Sequence, residues 1–200
     1  MNYNRRHLFP DIDIKIISVA LSQYTVLMLY ILGRCSMIHY YFGDGKGKTS
    51  AAAGACIRAL GNGIKCAAVQ FHKNGTSGEM LVLKNSGADV FACRGKVGFF
   101  KNMTEEEIEM ITRDHNENLG KVICGDYGLI VLDELGDSVD KKTSDIGLVS
   151  EILEKKDCEI IITGHKPIEL FMSCADYITE FRCIAHPYKN GVKARKGVEY

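Results

Sequence analysis

The chain has 200 residues, 46% of them apolar, with 25 basic and 25 acidic side chains that cancel to a formal net charge of zero. That length and apolar content suit one domain with a sizeable core, and the even charge balance gives no broad field for nucleic acid or an acidic lipid surface. Eight cysteines, at 35, 56, 66, 93, 124, 158, 174 and 183, contain no C-x-x-C pair and mostly lie in apolar stretches. This pattern argues for buried, reduced thiols in a cytoplasmic protein over a disulfide frame or a zinc site.

Residues 1–36 form an apolar N-terminal extension. Its stretch 14–32 follows Arg5-Arg6 and precedes Arg34. The length allows a membrane span, but Lys15, Ser18, Ser22, Gln23 and Thr25 interrupt it. A secretory leader fits poorly, since no small-x-small cleavage site follows. Three readings stay open: an extension upstream of a true start at Met37, an amphipathic or docking helix, and a span. The main domain is read as residues 37–200.

That domain opens on a strand, Ile38–Phe42, followed by Gly43-Asp44-Gly45-Lys46-Gly47-Lys48-Thr49-Ser50 and an Ala-rich helix from Ala51 to Leu60. Strand, glycine-rich turn and helix are the context of a phosphate-binding loop. Glycines let several N–H groups converge on one anion, and the helix N-terminus adds partial positive charge. Lys48 would reach the outer phosphates, and the Thr49 hydroxyl would sit on Mg²⁺. The loop is one residue shorter than G-x-x-x-x-G-K-[ST] and carries the additional Lys46; the alternative is a turn with exposed lysines.

Further along, Gly61-Asn62-Gly63 is a left-handed helix cap, and Ile64–Phe71 is a buried parallel strand. A loop at 72–78, a short helix Glu79–Asn85 and a strand Asp89–Cys93 follow. Residues 94–103 make a basic loop with Phe99 and Phe100, and Thr104 to Glu107 form a capping box. The next helix carries an apolar stripe of Ile108, Ile111, His115, Leu119 and Val122. A strand at Leu129–Leu132 delivers Asp133 and Glu134, in the manner of a Walker B strand. Helix 144–155, strand Glu159–Thr163, helix Pro167–Cys174 and strand Tyr177–Arg182 complete the pattern, ahead of a basic tail. The alternation predicts an α/β fold of the P-loop NTPase type, a mostly parallel sheet with helices on both faces. Ligands then bind at the carboxyl ends of the strands, where the loops after Phe42, Phe71, Cys93, Leu132 and Thr163 gather.

The runs G-D-G-K-G-K-T-S-A-A-A-G, I-R-A-L-G-N-G-I-K-C-A-A-V-Q-F, I-V-L-D-E-L and I-I-T-G-H, with the tail H-P-Y-K-N-G-V-K-A-R-K-G-V-E-Y, resemble the ATP:corrinoid adenosyltransferases over Ile38 to Tyr200. The resemblance implies that ATP and a reduced corrinoid such as cob(I)alamin are substrates. Co(I) attacks the ribose C5′ carbon and the whole triphosphate departs. It implies that Gly43 to Ser50 cradle the triphosphate, with Lys48, Thr49 and Glu134 catalytic and Thr49, Asp133 and Glu134 on Mg²⁺. Arg58 faces the nucleotide by the family pattern, or is an exposed helix arginine. Gln70 contacts the ligand or caps its own loop. His165 stands where many relatives have arginine. Phe99 and Phe100 lie against the corrinoid, displacing its lower axial ligand, or pack under their loop; the chain has no tryptophan to assist them. Lys193, Arg195, Lys196, His186 and Tyr188 reach phosphates or corrin side chains, or form a solvated face. A homodimer and an electron donor for Co(II) are implied as partners. The rival functions are a P-loop phosphotransferase or NTPase, and a nucleotide or corrinoid carrier without turnover.

Overall fold

A computed structural model describes residues 36–198 apart from 96, 99, 155 and 156. The apolar stretch 14–32 and Phe99 thus lie outside the described residues. Six strands make one sheet: β1 (Ile38–Phe42), β2 (Cys66–Gln70), β3 (Asp89–Ala92), β4 (Leu129–Asp133), β5 (Glu159–Thr163) and β6 (Tyr177–Glu180). All pair in parallel, in the order β3-β2-β4-β5-β1-β6. The helices are α1 (Lys48–Gly61), α2 (Gly78–Asn85), α3 (Glu105–Cys124), α4 (Leu135–Asp140), α5 (Ile146–Leu153) and α6 (Glu169–Cys174).

Side-chain alternation divides the central strands between two cores. Ala67, Val69, Ile130, Leu132, Ile160 and Ile162 face Leu119 and Val122 of α3, Val149 and Ile152 of α5, and Phe171 of α6. Their neighbours Cys66, Ala68, Leu129, Val131 and Ile161 face Ala52, Ala53, Cys56 and Ala59 of α1, with Met80 and Leu83 of α2. Because both faces are covered, β2 and β4 read as unbroken apolar runs. Small residues on the inner face of α1 let its axis approach the sheet, which sets where its N-terminus points. Each buried leucine or isoleucine contributes about 1.5–3 kcal/mol.

The expected helix-sheet alternation and both predicted caps hold. Thr104 Oγ1 accepts from Glu107 N–H at 3.3 Å, and Thr104 N–H donates to Glu107 Oε2 at 2.8 Å. Gly63 takes a positive φ of 74° just past α1. Several element ends fall one or two residues inside the expected ranges, as at Ile146–Leu153, Glu169–Cys174 and Tyr177–Glu180, and three differences have a clear physical reason. The predicted strand 64–71 is pared to Cys66–Gln70: Ile64 is exposed, and the last register pair with β4 is Gln70 opposite Asp133. Helix α4 was not predicted, since six residues (LGDSVD) are too few to show a period. Cys124, at the end of α3, is exposed and departs from the expectation of buried thiols, whereas Cys56, Cys66, Cys93 and Cys158 are buried. Among the described residues no helix is long and apolar enough to cross a membrane.

Candidate active site

The glycine-rich loop after β1 is shaped by backbone contacts to the sheet beside it. Gly43 N–H donates to the His165 carbonyl at 3.2 Å and Gly45 N–H to the Phe181 carbonyl at 2.7 Å. Gly43 and Gly47 have φ of 113° and 116°, which favour glycine. A Cβ on Gly45 would come within 2.7 Å of the Phe181 carbonyl carbon. The Asp44 carboxylate accepts from Cys183 N–H at 3.0 Å, so Asp44 staples the loop to the segment after β6.

Helix α1 begins directly from this loop, with no side-chain cap and no acid in its first turn. Its first N–H groups, on Lys48 to Ser50, have no intrahelical acceptor, which leaves an anion-binding end. Lys48 Nζ lies across the loop, donating to the Gly43 carbonyl at 2.7 Å and the Gly45 carbonyl at 3.0 Å. Burial lowers the Lys48 pKa, opposed by the charges of Asp137, Glu134, Asp44 and Asp133.

Thr49 joins the loop to β4. Its hydroxyl donates to Asp133 Oδ1 at 2.8 Å, and the Thr163 hydroxyl at the end of β5 donates to the same oxygen at 2.8 Å. Gln70 Nε2, at the end of β2, is 3.3 Å from Asp133 Oδ2 and 3.3 Å from Ser77 Oγ. Gln70 thus both meets the acid and fastens its own loop, while its Oε1 is buried without a hydrogen-bond partner. The register places Gln70 opposite Asp133. Asp133 is fully buried, and a carboxylate there demands such donors. Glu134 follows with φ of 64°, its N–H donating to Thr163 Oγ1 at 2.8 Å. A left-handed non-glycine residue costs about 1–3 kcal/mol and marks sites where the fold dictates side-chain direction. Lys73 Nζ is 2.8 Å from Glu134 Oε1 and 3.7 Å from Asp133 Oδ2. Burial would lower its pKa, but the charges of Asp133 and Glu134 outweigh that and raise it.

Oxygen donors from Thr49, Asp133 and Glu134 suit a hard divalent cation. Among the described residues no cluster of three or more His, Cys, Asp or Glu side chains is placed to hold a metal by itself. That composition fits Mg²⁺, which keeps several waters and takes phosphate oxygens.

Two further groups adjoin this edge. His165 Nδ1 lies 2.9 Å from Asp137 Oδ2. The hydrogen bond raises the His165 pKa against its burial. Burial would raise Asp137, but its bond to His165 and the charges of His165 and Lys141 hold it below the usual range. Beyond β2, the His72 ring meets the Phe100 ring edge-on, with centroids 5.8 Å apart, and Lys141 Nζ lies 5.2 Å from the Phe100 centroid. Arg94, where the Phe100 loop starts, donates from N and Nε to Asp114 at 2.8 and 2.7 Å. Phe100 therefore packs against its surroundings as well as lying beside the strand ends.

Of the sequence-predicted residues, Gly43 to Thr49, Asp133, Glu134 and Gln70 come together. Ser50 is exposed in the first turn of α1. His165 is brought in through its carbonyl, while its ring faces Asp137. Arg58 is not gathered: it is exposed in the last turn of α1, about 15 Å along the axis from Lys48. The sequence reading missed Lys73, Asp137, Thr163 and Phe181. Thr163 had a signal, for it closes an apolar strand with a polar residue, as Gln70 and Asp133 do.

The sequence model of one family, ATP:corrinoid adenosyltransferase BtuR/CobO/CobP, matches residues 34–200. The chain belongs to this family. It is similar to the Corrinoid adenosyltransferase of Pseudomonas aeruginosa, 29% identical over 79% of this chain and 80% of that one. The Corrinoid adenosyltransferase of Escherichia coli K12 is 31% identical, over 82% and 85%. The Corrinoid adenosyltransferase CobA of Salmonella typhimurium shows the same figures. In this chain the glycine-rich loop and the acid pair meet at the strand-end edge through Thr49 and Asp133.

Proposed function

We propose that this chain transfers the 5′-deoxyadenosyl group of ATP to the Co(I) centre of a reduced corrinoid, releasing tripolyphosphate. The observation that carries the reading is the Thr49–Asp133 hydrogen bond. It joins an anion-binding helix end to an acid pair, on the edge that also holds Phe100, in a chain of this family. Co(I) supplies the electron pair of the new Co–C5′ bond and becomes Co(III). The C5′–O bond breaks, and its pair leaves with the triphosphate. No proton moves, so the chain needs no general base for the step. Its work is to hold C5′ in line and to stabilise charge on the leaving group.

Gly43, Asp44, Gly45, Lys46, Gly47 and Ser50 form or support the cradle, and Lys48 exchanges its loop carbonyls for phosphate oxygens. Thr49, Asp133 and Glu134 would hold Mg²⁺, directly or through water, where it would neutralise triphosphate charge. Phe99 and Phe100 are assigned to the corrinoid side, and Gln70 and His165 to the nucleotide's surroundings, whereas Arg58, at the far end of α1, has the place of an exposed helix arginine. A homodimer, an electron donor for Co(II) and a cytoplasmic setting complete the reading. Residues 37–200 are the transferase domain, and residues 1–36 an extension outside it.

The test is an anaerobic assay with ATP, Mg²⁺ and chemically reduced cobalamin. Loss of the Co(I) absorbance with a light-sensitive product and tripolyphosphate is the expected result. ADP and phosphate with no alkylated corrinoid would overturn the transfer in favour of a phosphotransferase or NTPase. Tight binding of both substrates without product would indicate a carrier. Lys48→Ala should cut turnover about ten- to a hundredfold, losing a charge-assisted contact of about 1.5–3 kcal/mol in the transition state, and should weaken nucleotide affinity as well. Its circular dichroism should be unchanged.

A further inference from the structure

The cation beside the acid pair has no part in the adenosyl transfer as written, although it touches both acids assigned to the metal. Lys73 emerges from β2 next to β4, where Gln70 pairs with Asp133 and Phe71 N–H donates to the Asp133 carbonyl at 3.0 Å. His72 before it has φ of 54°, a left-handed turn. The Lys73 carbonyl accepts from Cys93 N–H at 3.0 Å, so its backbone is pinned to the ends of two strands. The fold thereby delivers Nζ to 2.8 Å from Glu134 Oε1 and 3.7 Å from Asp133 Oδ2.

The donors on Asp133 explain why it is there. Oδ1 accepts the hydroxyls of Thr49 and Thr163, and Oδ2 faces the Gln70 amide; all three are neutral. Lys73 brings positive charge to a carboxylate with no exposed surface, and a buried charge without a counter-charge is costly. Its own side chain is 39% exposed, on a flexible four-carbon stem, whereas Asp133 is held by the donors of Thr49, Thr163 and Gln70.

We propose that Lys73 is an exchangeable counter-cation: it neutralises Asp133 and Glu134 in the nucleotide-free protein, yields those oxygens to a divalent cation, and moves onto the triphosphate. This rests on the reading of Thr49, Asp133 and Glu134 as the metal-holding set. Two cations cannot share the same carboxylate oxygens without repulsion. An incoming triphosphate brings the negative charge that draws the released ammonium. The acids are thus never left bare, and the leaving group gains a cation in addition to Lys48.

The exchange can be read on the unaltered chain by reductive methylation, with the Lys73 peptide quantified by mass spectrometry. Mn²⁺ alone should raise Lys73 labelling, and Mn²⁺ with tripolyphosphate should lower it again. Labelling that does not respond to Mn²⁺ overturns the exchange, and labelling that stays high with tripolyphosphate overturns the move to phosphate. Lys73→Met supplies the second arm. Without nucleotide it should bind Mn²⁺ about tenfold more tightly by paramagnetic resonance, and with Mn²⁺ it should bind tripolyphosphate about tenfold more weakly, each near 1.4 kcal/mol. Lys73→Arg should restore both values toward those of the parent. Unchanged or weaker Mn²⁺ binding in Lys73→Met would reduce Lys73 to a structural tether. A parent protein that makes adenosylated corrinoid yet shows no change in Lys73 labelling overturns this inference alone. A parent that makes none overturns the transferase reading instead.

Discussion

A methyl group on Gly45 would stand 2.7 Å from the carbonyl carbon of Phe181, a backbone atom that cannot swing aside. Gly45→Ala must therefore shift the loop off the end of β6. Nucleotide affinity should fall at least tenfold, about 1.4 kcal/mol, by calorimetry, with little change in far-ultraviolet dichroism. Thr163 offers a separate test, because its one hydroxyl serves two partners, donating to Asp133 and accepting from Glu134 N–H. Thr163→Val removes the hydroxyl at similar shape and leaves two buried polar groups short of a partner. We expect about 1–3 kcal/mol lost in urea unfolding, with Thr163→Ser retaining most of it. At this scale the loop and the acids were legible in the sequence, because their residue types have few other uses in that order. Lys73 and Phe181 were not, since nothing local marks a lysine or a phenylalanine as facing a strand that is distant in sequence.

Between elements, the segment carrying Phe100 is fixed at its start. Arg94 bonds through N, Nε and Nη2 to Asp114 of α3, and Nη2 also reaches Glu117. Asp114→Asn keeps the volume but removes the charge and one of the acceptors. The corrinoid KM should rise about tenfold, while ATP affinity, governed by the loop on the far side of β4, should not move. Steady-state kinetics with each substrate varied separate the two. Helix α4 has the same relational character. Its Ser138 contacts His115 Nδ1, Thr143 and Ser144, at 3.1, 2.9 and 2.5 Å. The helical stripe correctly placed His115 on the buried face, yet could not show that His115 is a polar junction. His115 Nε2 accepts from His72 N–H, so Nδ1 carries the proton that is donated to the Thr143 carbonyl at 2.9 Å.

Across the whole molecule, these histidines set a pH dependence. Burial lowers His72 to about 3, with the neighbouring charge of His115 adding to it, and lowers His115 to about 4 despite its bond to the Thr143 carbonyl. In the unfolded chain both titrate at about 6.5. Between those values the unfolded state binds protons that the native state refuses, so stability falls as pH drops from about 6.5 toward 3–4. His165 has the opposite sign. Its raised value makes its contribution complete below about 6.5 and lost as pH climbs through the native value. Melting temperature should decline toward acid from near neutrality, and a His72→Gln, His115→Gln double variant should show a shallower acid slope whatever its absolute stability. An unchanged slope would place the acid sensitivity in other groups.

Period and spacing alone determined the parallel α/β alternation, the capping box, the glycine-rich loop and the acids closing β4, because each is written within a few consecutive residues and answers to local geometry. Tertiary structure alone decided the strand order β3-β2-β4-β5-β1-β6, and with it which strand ends become neighbours. That order sets β2 and β5 on either side of β4, so Gln70, Lys73 and Thr163 converge on Asp133 from 63, 60 and 30 positions away, the first two before it and the last after it. Such convergence has no local signal, since pairing between strands is chosen by the burial of both sheet faces at once.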